Sequence, residues 1–340
     1  MRASRIAALG AAALLATSLV ACSTTSDVSS EAEAGSSGTF PVTIEHVYGT
    51  TVIESQPERI ATVAWANHEV PLALGVVPVG MAAVSWGDDD GDGVLPWVEE
   101  RLEELGAETP VLFDETDGID FEAVADTNPD VILASYSGLS QEDYDTLSKI
   151  APVVAYPDVA WGTSWEEMTL INSEAIGLAA EGQALVDELH AEVDASLADY
   201  PALEGSAVLF SYIDPSDLSQ IGFYTSHDTR PGFLEGIGLP TPTVVAEESA
   251  GTDLFYTSVS AEQADRFEDV DLFVTYGDAD GEMIDLLQAD PLLSQIPAIA
   301  AGNIVILENG TPLAASANPS PLSISWGIDD YFALLSAPLS

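Results

Sequence analysis

The chain has 340 residues, 47% of them hydrophobic, so it is long enough for about two domains and apolar enough to bury large cores, which excludes a disordered protein. It carries 57 acidic residues against 7 Lys+Arg, a formal net charge of −50. Such a surface repels polyanions, so nucleic acid and anionic lipid are excluded as partners, and the acidity reads as a solubility device suited to a salty habitat rather than a cation store.

Residues 1–21 read as a secretion signal. Arg2 and Arg5 form a charged start, and Ile6 to Val20 form an apolar run too short to span a bilayer comfortably. The run ends in Leu19-Val20-Ala21-Cys22, which resembles the bacterial lipobox, and Cys22 is the sole cysteine. The expectation is lipidation at Cys22, with anchoring to the cell membrane through the lipid alone. Residues 22–39 are Ser, Gly, Ala and acid without an apolar pattern and read as a flexible tether.

From there, strand-like and helix-like segments alternate. Residues 41–54 read as a hairpin turning near Gly49, and Ile60 to Ala64 as a short apolar strand. A helix is predicted from Asn67 to Gly75, a strand over Val77 to Ala83, a loop over Ser85 to Gly93, and a helix over Glu99 to Leu105. Helix over Phe121 to Asp126, strand over Val131 to Ala134, helix over Gln141 to Ile150 and strand over Val153 to Tyr156 follow. Ser164 and Glu167 open a helix in capping-box spacing that runs to Ile176. Ala180 to Tyr200 is an amphipathic helix with apolar Leu185, Leu189, Val193 and Leu197, ended by Pro201. By periodicity alone it suits an ordinary crossover helix or a bridge between two lobes. The second half repeats the style, with strands at Ala207 to Ile213, Leu272 to Tyr276 and Asn303 to Leu307. Its helices are expected at Arg230 to Gly236, Ala261 to Phe267, Gly281 to Gln288 and Ser320 to Leu335. This pattern predicts an α/β fold with mostly parallel sheets covered by helices.

In open α/β sheets, ligands bind beyond the carboxyl ends of strands. Trp65, Trp86, Tyr136 and Trp161 follow successive strands of the first half. Tyr212 ends a strand of the second half, and Tyr224 and Tyr256 lie in later β-like segments. Rings at successive strand exits predict a wide cleft for a large ligand. Arg230 is one of five basic residues beyond residue 21 and sits just before a helix, where its fork suits carbonyl, hydroxamate or carboxylate oxygens. Asp88, Asp90, Asp92, Gly93 and Glu99 match the spacing of a calcium loop, but a strand rather than a helix leads in and Pro96 sits inside. A solvated acidic turn is the favoured reading, and no metal or cofactor is expected. There is no G-x-S-x-G, P-loop, G-x-G-x-x-G or H-E-x-x-H, and the four histidines are scattered, so no catalytic residues are expected.

The stretches "PERIATVAWANHEVPLALGVVPVGMA", "GIDFEAVADTNPDVILASYSGLSQEDYDTLSKIAPVVAY", "SWEEMTLINSEAIGLA", "DPLLSQIPAIAAGNIVIL" and "PSPLSISWGIDDY" are spread in order over the chain. Together they resemble the substrate-binding lipoproteins of ABC transporters for ferric siderophores, relatives of the ferric-citrate, ferrichrome and vitamin B12 binding proteins. The resemblance implies two three-layer α/β lobes joined by one rigid helix: an N-terminal lobe over 40–178, a bridge over 179–200 and a C-terminal lobe over 201–340. It implies an extracytoplasmic monomer that holds a ferric siderophore between the lobes and hands it to permease subunits. It also implies docking through one exposed glutamate per lobe, matched by position to Glu69 and Glu235. With little but Arg230 to neutralise an anion, a hydroxamate siderophore is expected over a catecholate. Haem or cobalamin on the same scaffold, or a secreted enzyme or surface module, are the alternatives.

Overall fold

The structure, a computed structural model, describes residues 38–278 and 280–340. The signal sequence, Cys22 and nearly all of the tether therefore lie outside the described residues. The tether was expected to run through residue 39, but Gly38 already belongs to the folded body, where its N–H donates to Gly177 O at 3.0 Å.

Strands β1 (Val42–His46) and β2 (Gly49–Ile53) form the expected antiparallel hairpin, pairing Val42 with Ile53 and His46 with Gly49. The next five strands are β3 (Ile60–Thr62), β4 (Gly80–Ala82), β5 (Val111–Phe113), β6 (Val131–Leu133) and β7 (Val153–Val154). They form one all-parallel sheet in the order β5-β4-β3-β6-β7. Successive side chains of a strand point to opposite faces. Ile60, Val131 and Leu133 accordingly pack with Ala175 and Ile176 on one face. Ala61, Val63, Ile132 and Ala134 pack with Val124 and Leu147 on the other. Helices cover both faces, giving three layers.

The second sheet comprises β8 (Val208–Ser211), β9 (Gln220–Tyr224), β10 (Tyr256–Ser260), β11 (Leu272–Gly277) and β12 (Ile304–Glu308), in the order β10-β9-β8-β11-β12. Strands β8, β10, β11 and β12 run in one direction, and β9 between β8 and β10 is antiparallel to both its neighbours. The connection over 212–219 is too short to hold a crossover helix, so β8 must turn straight back into β9. Alternation again splits the core: Val208, Phe210 and Val274 face the helices Thr229–Gly236 and Pro321–Ser336, while Leu209, Phe223 and Phe273 face helices Thr243–Ser249 and Glu282–Ala289.

One helix, Ala179–Leu197, joins the two lobes. Its buried stripe is Gly182, Val186, Leu189 and Val193, with Leu185 and Leu197 only half-buried at the margin. Gly182 permits close contact with helix Trp165–Ala175, since a Cβ there would stand 1.9 Å from Ser173 Oγ. Val186, Leu189 and Val193 join the same core as Phe210, Phe233 and Phe332. The bridge is thus stiffened by packing along the C-terminal lobe as well as by its own ladder.

Strand β5 and helix Thr243–Ser249 were not expected from pattern, whereas β9 and β10 end and begin at the β-like segments of Tyr224 and Tyr256. Helix Pro96–Leu105 begins at its proline, whose fixed φ suits a first helical turn.

Candidate functional site

Two neighbouring strands of the parallel sheet, β3 and β6, end in the loops that carry Trp65 and Tyr136. The Trp65 loop has an unusual backbone: Ala64 and Ala66 both adopt φ of 61°, the left-handed region that residues with a Cβ avoid. Asn67, fully buried, holds it. Its amide nitrogen donates to Val63 O (2.9 Å), Trp65 O (3.2 Å) and Tyr136 O (2.9 Å), and its Oδ1 accepts from Tyr136 N (3.1 Å) and Asn172 Nδ2 (3.2 Å). The Glu115 carboxylate accepts from Ala64 N at 3.0 Å, and burial pushes its pKa up to about 7 against the pull of that hydrogen bond. Trp161, also at positive φ (62°), stands edge-on to Tyr136 with centroids 5.4 Å apart. Its indole lies where a Cβ on Gly138 would be 2.2 Å from Nε1, so only glycine fits beneath it.

The opposite wall centres on Arg230, in the first turn of helix Thr229–Gly236. Asp228 caps that helix by accepting from Arg230 N (2.9 Å) and also takes the guanidinium of Arg230 through Nη1 (2.9 Å). Arg230 Nε donates to the Tyr276 hydroxyl (2.9 Å), and its Cζ sits 4.7 Å from the Tyr224 ring centroid. Burial by itself disfavours both charges and raises the Asp228 pKa, but the Asp228 carboxylate holds the Arg230 pKa above its ordinary value. The walls meet at Tyr136, whose hydroxyl accepts from Asn318 Nδ2 (3.1 Å), while Asn318 Oδ1 accepts from Thr229.

Trp65, Trp86, Tyr136, Trp161, Tyr224 and Arg230 line one hollow of about 260 Å³, together with Asp228, Phe255 and Asn318. Six of the eight expected site residues are thus brought together. Tyr212 and Tyr256 are not in its lining. Tyr256 packs edge-on against Tyr224 and donates to the backbone Tyr212 O (3.1 Å), so its ring braces the Tyr224 wall. Reasoning from sequence missed Asp228, Phe255, Asn318 and Tyr276. Asp228 alone had a signal, an Asp at the cap position ahead of a helix.

Glu69 is corrected. An exposed carboxylate was expected, but the side chain is fully buried and accepts from Trp97 Nε1 (2.8 Å) and from Leu322 N (3.0 Å) in the first turn of the C-terminal helix. The Leu322 N–H lies at a helix N-terminus, where a carboxylate is favoured, and the Trp97 indole N–H adds a second donor. Burial still pushes its pKa up to about 6, although those hydrogen bonds pull it down. Glu235, on helix Thr229–Gly236, is exposed as expected. In the acidic turn, one carboxylate oxygen each from Asp88, Asp90 and Asp92 come within 4.8 Å of one another, without Glu99. Asp88 accepts from Gly91 N (2.7 Å) and Gly93 N (2.8 Å), which accounts for the turn through its own backbone. No helix among the described residues is long and apolar enough to cross a membrane.

Comparison with known proteins gives concordant matches. A family model described as "Periplasmic binding protein" matches residues 60–310. The structure of PiaA from Streptococcus pneumoniae TIGR4 in complex with ferrichrome is 43% identical, covers 87% of this chain and 98% of that chain, and superposes with a TM-score of 0.83. The Bacillus subtilis (strain 168) protein named "Probable siderophore-binding lipoprotein YfiY" is 29% identical over 67% of this chain and 66% of its own length. The Fe(3+) dicitrate-binding periplasmic protein FecB of Escherichia coli (strain K12) is 25% identical over 80% of this chain and 84% of its own.

Proposed function

Because the chain belongs to the periplasmic binding protein family, we propose that it is the extracytoplasmic component of an ABC importer and captures a ferric siderophore of hydroxamate type between its lobes. The observation that carries the ligand class is the Arg230–Asp228 pair inside a ring of aromatics. The cleft's one arginine is already neutralised, so the site as a whole offers shape, rings and one partly free guanidinium rather than net positive charge. An uncharged ferric trihydroxamate matches that; a multiply anionic catecholate complex does not, because it would lose hydration without a counter-charge. PiaA, whose structure holds ferrichrome, supports the reading. The siderophore fills the iron's coordination sphere, so the protein supplies no iron ligand and no catalysis.

Trp65, Trp86, Tyr136, Trp161, Tyr224 and Arg230 would touch the ligand. Glu235, exposed on a helix, would meet a cationic patch of the permease, and Cys22 would carry the lipid that keeps the monomer at the membrane. Tryptophan emission of the purified protein tests the ligand: a ferric trihydroxamate quenches it saturably, whereas ferric catecholate, ferric citrate and haem do so only at far higher concentration. Tighter binding of a catecholate would overturn the ligand class. Charge reversal by Glu235→Arg leaves ligand affinity intact and lowers uptake; full uptake would rule out docking there.

A further inference from the structure

The hollow that holds Arg230 is small for its proposed ligand. Ligand pockets are on the order of 300–1,000 Å³, and this one is about 260 Å³. A second hollow, of about 350 Å³, lies beside it on the C-terminal lobe, with Tyr212, Tyr276 and Met283 in its wall together with the acidic Asp278, Asp280 and Glu282. They come together at Tyr276, which walls the second and touches both Arg230 and Trp86 of the first. Trp86 lines the first hollow and Tyr276 the second, and their rings meet edge to face at 5.5 Å and 74°. Trp86 belongs to the N-terminal lobe and Tyr276 to strand β11 of the C-terminal lobe, so the contact crosses the cleft.

The two partners are unequally held. Tyr276 is 5% exposed, packs on Phe210 and accepts from Arg230 Nε. Trp86 is 36% exposed, and no hydrogen bond fixes its indole among the described residues. Its backbone, however, is anchored: at Gly87 (φ +90°) a Cβ would stand 2.4 Å from Ala315 Cβ, so the loop hugs the helix Pro312–Ser316. The backbone stays and the side chain is the part free to turn.

We propose that Trp86 is a specificity-determining partition: its indole, leaning on Tyr276, divides the cleft, and a bulky chelate displaces it to join the two hollows while a compact one fits without doing so. This rests on the reading of the cleft as a ferric hydroxamate site. Joined, the hollows fall well inside the usual pocket range. A ligand that must displace the ring gives up part of its binding energy to do so, so the partition favours compact chelates.

The test uses two probes with the same iron core, a bare linear ferric trihydroxamate and the same chelate acylated with a bulky group, titrated by tryptophan emission. In Trp86→Ala, the ratio of bulky to compact affinity rises at least tenfold over wild type. Trp86→Leu, which keeps apolar volume without a ring edge, moves the ratio the same way, and Trp86→Phe restores the wild-type ratio. If the variants bind both probes with the wild-type ratio, Trp86 is a plain wall and the partition is refuted, while the hydroxamate reading stands. If wild type binds neither probe, the parent reading fails and the partition with it.

Discussion

The two walls of the cleft are held in place by opposite means. On the N-terminal side, Trp65 is presented between two alanines in left-handed conformation, and Trp161 adopts one itself. Each such residue costs about 1–2 kcal/mol, offset by the buried hydrogen bonds of Asn67. On the C-terminal side the backbone is ordinary and the cost is desolvation of two ions, offset by pairing Arg230 with Asp228. One wall is a shape held by backbone contortion and the other is a chemistry held by charge. On the proposed reading a ligand is measured by one lobe and recognised by the other, and damage to each should look different.

The harshest way to break this comparison is to remove the guanidinium. Arg230→Ala leaves Asp228, 2% exposed, as an uncompensated buried charge, which destabilises by about 3–5 kcal/mol and abolishes measurable ligand binding. Replacing both partners, Arg230→Leu with Asp228→Leu, recovers most of the lost stability in denaturant unfolding but none of the binding. Recovered binding in the double variant would mean that the C-terminal wall recognises nothing.

On the other wall, Asn67→Ala removes the bonds to Val63, Trp65 and Tyr136 and strands their carbonyls. The expected loss is about 2–3 kcal/mol of stability, with affinity down roughly tenfold or more and a shifted tryptophan emission in the unliganded protein, as the Trp65 loop relaxes. An unchanged emission spectrum would show that the loop holds its contorted shape without Asn67.

This asymmetry also decides what was legible in the sequence. The strand–helix alternation, the long middle helix and the aromatic positions follow from apolar periodicity and from the rule that ligands sit at strand exits, and both are local patterns; that this helix bridges two lobes came from the family resemblance, not from its period. Arg230 stood out because basic residues are so rare in this chain. What could not be seen was long-range or conformational. Alanine at φ 61° carries no sequence signal, unlike glycine. Asn318 joins Tyr136 across 182 positions of sequence. Strand β5 is three residues long with an exposed Val111, too short to show a period. Glu69 was matched by position alone, and position says nothing of burial; its partner Leu322 is 253 residues away.

pH reaches the N-terminal lobe through two carboxyls shifted by burial. Glu69 and Glu115, both on the N-terminal side, have pKa values raised by burial from 4.5 to about 6 and about 7. A carboxyl raised in the fold binds its proton more tightly there than in the unfolded chain. The stability it contributes is full below about 4.5 and lost as pH rises through the folded value. For Glu69 alone that is about 2 kcal/mol. Unfolding midpoints followed between pH 4.5 and 7.5, at high salt to screen the net charge, should therefore fall. Glu69→Gln should flatten the part between 4.5 and 6, and Glu115→Gln the part up to 7. A slope untouched by either substitution would place the titrating group elsewhere.

The smallest effect separates support from contact. Tyr256 was expected from sequence to face the ligand, yet its hydroxyl donates to Tyr212 O and its ring braces Tyr224. Tyr256→Phe keeps the ring and deletes one hydrogen bond, worth about 0.5–1.5 kcal/mol, and the half-buried site puts it at the low end. The bond belongs to the fold, so unfolding stability should drop slightly while ligand affinity changes by less than about threefold. If instead the hydroxyl touched the ligand, stability would hold and affinity would fall about tenfold, as it does when a site's polar group loses its partner in the complex. Measuring both quantities on this one variant decides which wall residue is a ligand contact and which merely stands behind one.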